Sequence, residues 1–226
     1  MQRAGLEPIS LVEGHFALHR TRRRRFPYEQ TVKRLMDLVL ATLGLIGCAP
    51  LWLTLVIAIK LDSPGPAIFV QERVGLHGRR FRFYKFRSMY VDAEQRLAEV
   101  RARNEMDGPV FKIRQDPRIT RLGRLLRRSS LDELPQLINV LKGEMSLVGP
   151  RPPLPREVEQ YRPGDIIRLS VRPGLTCLWQ IRGRSEVGFD QWMEFDREYV
   201  RGMSFWLDVR ILLRTLLVVL SARGAY

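Results

Sequence analysis

Adjacent acidic residues Asp132 and Glu133 lie in SSLDELPQLINVLKGEMSLVGPRPP, Ser129 to Pro153, the part of this sequence densest in groups able to do chemistry. A carboxylate can attack an electrophile or ligate a hard metal ion. Neighbours on a helix point about 100° apart, so the two carboxylates would need distinct tasks. They also have an ordinary explanation. Ser130 followed by Glu133 fits a capping box, and acids in a first helical turn complement the helix dipole. Pro135 weakens that capping, because a proline so far into a helix deletes the first internal hydrogen bond or moves the helix start later.

Several cations are placed where an anion could be held. Arg151 stands between prolines in GPRPP, where a restricted backbone presents a guanidinium able to fork onto phosphate oxygens; the plainer alternative is a rigid turn with a solvated arginine. Lys85 and Arg87, in KFR, fall on one face if the segment is a strand, so they either converge on one anion or face solvent. Arg182 and Arg184 flank Gly183 in IRGR, which by itself reads as a basic turn. His15 and His19 have the i, i+4 spacing of a metal pair but no third ligand nearby, and read as part of a solvated tail. Gly75 and Gly78 around His77 make a turn without the pattern of a phosphate-binding P-loop.

These groups must be positioned by the surrounding elements. Residues 1–31 read as a basic flexible arm, with HRTRRRRF from His19 to Phe26. Leu38 to Ile59 is a run of 22 uncharged residues, about 33 Å as helix and long enough for a bilayer. It begins too late and lacks the cleavage site of a signal peptide. Pro50 lies near its middle and predicts a kink or break, while Lys33 and Arg34 before it and Lys60, Arg73, Arg79 and Arg80 after it pull both flanks to the cytosol. A re-entrant helical hairpin over 32–60, broken at Pro50, satisfies both demands.

LDSPGPAIF then marks a turn leading into a strand, Phe81 to Phe86 reads as a second strand, and Asp92 to Asn104 as a charged helix. RLGRLLRR, Arg121 to Arg128, puts Leu122, Leu125 and Leu126 on one helical face and serves either as a surface helix or as a contact to lipid phosphates. Phe189 to Val200 and Ser204 to Leu220 are helical in pattern; the second packs on the domain or lies in a membrane interface, and its charges argue against a span. The net charge of +14 calls for a polyanionic neighbour. The isolated Cys48 and Cys177 suggest no disulfide framework and fit a reducing compartment.

DELPQLINVLKGEMSLVGPRPP closely resembles the signature of the bacterial sugar transferase family, the monotopic phosphoglycosyl transferases. The likeness runs in family order from the apolar run through QERVG, KFRSM and RPGLTCLWQIRGR to SFWLDVRILLRT, covering nearly everything from Val32 to Leu220. The resemblance implies transfer of a sugar 1-phosphate, here a hexose, from a UDP-sugar to polyprenyl phosphate with release of UMP. This is the first membrane step of exopolysaccharide, capsule, O-antigen or glycan assembly. By that likeness Asp132 is the nucleophile that forms a phosphoglycosyl aspartate, and Glu133 holds Mg2+. Lys85, Arg87 and Arg151 would bind phosphate, and Arg182 and Arg184 would lie near the nucleotide. Cys177 and Trp179 resemble the branch that transfers glucose or galactose phosphate.

The architecture so implied is a small cytosolic α/β or α+β domain over 61–226. It is seated on the inner membrane by the 32–60 hairpin and by interfacial amphipathic helices that touch anionic lipid; a homodimer is left open. Relatives with four further N-terminal spans exist, and the short form is expected to suffice for catalysis. Two rivals compete. A nucleic-acid binding protein would use the basic charge, but no zinc-finger spacing, RNP motif or zipper-linked basic region accompanies it, so no nucleic acid is expected. A non-catalytic basic membrane adaptor leaves the acidic pair and the arginine motifs without a task.

Overall fold

The computed structural model describes residues 27–183 and 187–220. The expectations for residues 1–26, among them His15 and His19, and for Arg184 lie outside them. After a helical turn, α1 (Pro27–Gln30), come α2 (Val32–Gly47) and α3 (Ala49–Asp62), bent by 61° from one another. No single described helix is long and apolar enough to cross a membrane, although this bent pair passes that test together. The break falls at Cys48, two residues before Pro50, which occupies the first turn of α3. A proline ring clashes with the carbonyl four residues earlier, here Ile46, so the helix must end upstream of the proline rather than at it.

The bent pair is tied to the rest of the chain at both ends. Lys33 is buried and donates to Asp208 Oδ2 and to the Val148 carbonyl, while Arg34 donates to the carbonyls of Val140 and Leu141. At the other end Arg87 caps α3, donating to the carbonyls of Ser63 at 2.6 Å and Pro64 at 2.7 Å. Such caps satisfy the carbonyls that a helix terminus leaves without an internal partner. Of the cations that flank the apolar run, Lys33 and Arg34 therefore act first as ties. Ala41 joins the main core and Leu55 and Ile59 a second one, whereas Leu35, Leu43, Ile46, Leu53 and Leu61 stand exposed.

Antiparallel strands β1 (Ile68–Val74) and β2 (Arg80–Phe86) pair Ile68 with Phe86 and Val74 with Arg80. Asn139, fully buried on α6 (Gln136–Lys142), accepts from the Tyr84 amide and donates to the Arg82 carbonyl, locking that helix to β2. The charged helix expected over Asp92 to Asn104 is broken into turns, with only α4 (Leu97–Val100) and a 3-10 turn, Arg101–Arg103. Ala93 and Val100 are its only buried residues, too few to form the apolar stripe that stabilises a surface helix.

RLGRLLRR forms α5 (Arg121–Arg128), with Leu126 buried and Leu125 exposed. Beyond it Ser130 adopts a left-handed conformation (φ 57°) and the expected capping box does not form; Leu131–Glu133 is a 3-10 turn and α6 starts only after Pro135. The proline defers the helix, and the acidic pair sits on the turn ahead of it. Strands β3 (Ser146–Val148) and β4 (Gly174–Thr176) pair in parallel across the short helix α7 (Pro155–Val158). A Cβ on Gly174 would lie 2.0 Å from the Gly149 nitrogen, so this crossing needs glycine. The chain ends in α8 (Leu178–Arg182), α9 (Phe189–Gly202) and α10 (Phe205–Leu220). One face of α10 packs through Asp208 and Ile211, and the other leaves Trp206, Leu213, Leu216 and Leu217 exposed.

Candidate active site

The turn carrying Asp132 and Glu133, the end of β2, α5 and the GPRPP loop border one cavity of about 1200 Å3. Asp132 is buried and accepts from Lys85 Nζ at 2.7 Å. Burial pushes the Lys85 ammonium down, and the Asp132 carboxylate works against that shift. Glu133 lines the same cavity. Lys85 and Arg87 do not converge, although both border the cavity: the first turns to the acidic turn and the second to the end of α3.

The GPRPP loop is held by its backbone. The Pro150 carbonyl accepts from Gly174, Arg151 from Arg168, Pro152 from Arg73 and Pro153 from Val74, all within 2.9 to 3.0 Å. With its main chain pinned, Arg151 extends a guanidinium that makes no hydrogen bond to another described residue and borders the cavity. Arg127 enters from α5, its Nε donating to Ser88 Oγ at 3.0 Å. The sequence does not single out Arg127, because RLGRLLRR reads as a surface helix or as a contact to lipid phosphates. Its signal is Gly123, one helical turn earlier, where a Cβ would meet the Ser88 carbonyl at 2.0 Å. That close approach marks the inward face of α5.

These cations repel one another. Burial lowers Arg73 to about 10 and Lys112 to about 8, with the charge of Arg151 next in each case. Burial also lowers Arg127, which Asp132 supports and Arg151 opposes. A cavity that crowds guanidinium and ammonium groups at such a cost is built for a polyanion, whose oxygens would relieve the repulsion and supply acceptors.

Arg182 is directed elsewhere. It ion-pairs with Glu198 and lies 5.2 Å from the Phe195 ring centroid, so among the described residues it faces α9 rather than the cavity. No group of three or more metal-ligating side chains occurs among the described residues. Away from the acidic turn the cavity extends between α2 and α10, past Leu40, Leu212 and Leu216.

Comparison with known proteins shows the family. The family described as "Bacterial sugar transferase" matches residues 28–222. A galactosyl transferase, CpsE, of Streptococcus agalactiae is 50% identical over 194 residues, 85% of this chain and 43% of that one. An undecaprenyl-phosphate galactose phosphotransferase of Salmonella typhimurium is 46% identical over 86% of this chain and 42% of its own length. The exopolysaccharide production protein ExoY of Rhizobium meliloti is 38% identical over 88% of this chain and 90% of its own. The chain thus spans less than half the length of the first two relatives and most of the third. A match this extensive, with the acidic turn, KFRSM and GPRPP gathered at one cavity, means that the chain belongs to the bacterial sugar transferase family.

Proposed function

We propose that this chain transfers a hexose 1-phosphate from a UDP-sugar to polyprenyl phosphate. The observation that carries the proposal is the buried Asp132 carboxylate, held by Lys85 in a cavity where Arg127 and Arg151 await an anion. A carboxylate oxygen of Asp132 attacks the β-phosphorus. The bond from that phosphorus to the bridging oxygen breaks, UMP leaves with the electron pair, and an acyl phosphate joins sugar phosphate to Asp132. A polyprenyl phosphate oxygen then attacks the same phosphorus, forming a diphosphate and freeing the carboxylate. Nucleophile and target are both anionic, so the cations lower the barrier by neutralising charge as it develops. The relatives named as galactose phosphotransferase and as glucose-1-phosphate transferase point to hexose and to undecaprenyl phosphate.

Glu133 is suited to hold Mg2+, which when bound would act as a Lewis acid on the diphosphate. Glu133→Gln keeps one ligand oxygen, so half-maximal UMP release from UDP-glucose or UDP-galactose should need about tenfold more magnesium. Calorimetric binding of magnesium to the UDP-loaded protein should weaken in parallel. Identical magnesium dependence in the variant and the parent would remove Glu133 from the metal. No UMP release by the parent from any UDP-hexose with polyprenyl phosphate would remove the function itself.

The bent pair of α2 and α3 enters the cytosolic leaflet and returns, with the exposed apolar faces of both and of α10 in lipid and the basic surface against anionic headgroups. Two features support this: both ends of the pair are tied to one compact domain, and exposed leucines concentrate on these helices. Single cysteines at Arg25 and Lys60, with the native cysteines replaced, should both be labelled only from the cytosolic side. Labelling of either from the opposite side would sink the re-entrant topology.

A further inference from the structure

The anion-binding loop is joined to an aromatic wall. Arg168, which holds the Arg151 carbonyl, ion-pairs with buried Asp196 and places its guanidinium 5.3 Å from the Trp192 ring centroid. Trp192 in turn packs on Trp179 with centroids 4.7 Å apart. Both tryptophans border the cavity, together with Met106, Val110, Gln180 and Val187. This end therefore lies beside the place where the diphosphate would sit, and its lining is different: mostly apolar and aromatic, with the paired charges of Arg168 and Asp196 beside Trp192.

Two polar features stand out in it. Trp179 Nε1 is buried with no hydrogen-bond partner, a condition that a ligand oxygen would relieve. Gln180 Oε1 accepts from the Cys177 thiol at 3.2 Å, so the side chain still offers both amide N–H groups and one lone pair. We infer that Trp179 and Gln180 bind the hexose of the donor. The indole takes the C–H face of the pyranose, and the indole and amide N–H groups donate to its hydroxyl oxygens. The inference rests on the UDP-sugar reading above and deepens it.

Hexose fits this wall better than the uracil base. Uracil carries an imide N–H that needs an acceptor, and Gln180 Oε1, which already accepts from Cys177, has only its second lone pair left for one. A hydroxyl both accepts and donates, so a hexose can take the two N–H groups and turn its own protons elsewhere. The ring face of an indole also carries the negative lobe of its quadrupole, which attracts the polarised C–H bonds of a sugar.

The test compares affinities of the detergent-solubilised full chain for UDP-glucose, UDP-galactose and UMP by titration calorimetry. Trp179→Phe keeps the ring against Trp192 and deletes the N–H. It should weaken at least one UDP-hexose about three- to tenfold and change UMP affinity less than twofold. Trp179→Ala should weaken it further with UMP again unchanged. A parallel loss for UMP would assign the wall to the nucleotide and overturn the inference, and affinities unchanged throughout would reduce the wall to packing. Should the alanine variant fail to fold, the phenylalanine variant decides alone. These readouts require no turnover, so they separate failure of this wall from failure of the proposed reaction.

Discussion

Asp132→Asn is expected to abolish covalent capture of sugar phosphate and to lower UMP release by about 10⁴-fold or more, the scale on which single nucleophile deletions act. The amide has nearly the same shape and can still accept from Lys85, so the 2.7 Å contact need not be lost. What disappears is the negative charge that makes the oxygen a nucleophile. The parent, incubated with UDP-sugar and no lipid, should gain the mass of a hexose phosphate on the peptide containing Asp132, and the variant should not. Isotope exchange between UMP and UDP-sugar without lipid should follow the same pattern. Full turnover by the parent with no such exchange would favour direct transfer to the lipid. Exchange that persists in Asp132→Asn would place the nucleophile elsewhere.

Lys33→Met should cost about 3–5 kcal/mol of stability, the usual consequence of removing one partner from a buried ion pair. Both members are almost fully buried, and Asp208 also accepts from the hydroxyls of Tyr28 and Tyr199. Neutral donors alone would then have to hold a carboxylate away from water. For a chain of this size the loss corresponds to a fall in Tm of roughly 6–20 °C. Lys33→Met combined with Asp208→Leu should recover part of it, because the Asp208 charge is gone while buried Asp37, which Lys33 also supports, stays. A fall of only a degree or two in the single variant would show that water reaches Asp208 and that the pair is not a structural anchor. The site depends on this anchor because Lys33 also donates to the Val148 carbonyl, two residues before Pro150 and three before Arg151.

Much of the fold was legible in the sequence wherever local pattern and local burial coincide. The alternation in FRFYKF is the strand β2, and the two C-terminal helices begin and end within two residues of their expected bounds. The ordered motifs were enough for the family, and Pro50 for a break in the apolar run. The charged stretch Asp92 to Asn104 misleads for the opposite reason: its composition suits a helix, yet it has no stripe to bury.

The sequence by itself determined the periodic elements, the family motifs and the residue types of the site; tertiary structure decided which side chain serves which partner. Arg87 and Arg127 are equally basic in sequence and both border the cavity, yet one caps α3 and the other donates to Ser88. Lys33 and Arg34 look alike as flanking charges, yet one is buried against Asp208 and the other holds the end of α6. The parallel pairing of β3 with β4 joins segments nearly 30 residues apart, and Ser130 takes a left-handed turn where the spacing fits a capping box. Long cationic side chains can reach many acceptors from one backbone position. The choice among those acceptors depends on desolvation and on carbonyls or carboxylates brought from distant parts of the chain, which no local spacing encodes.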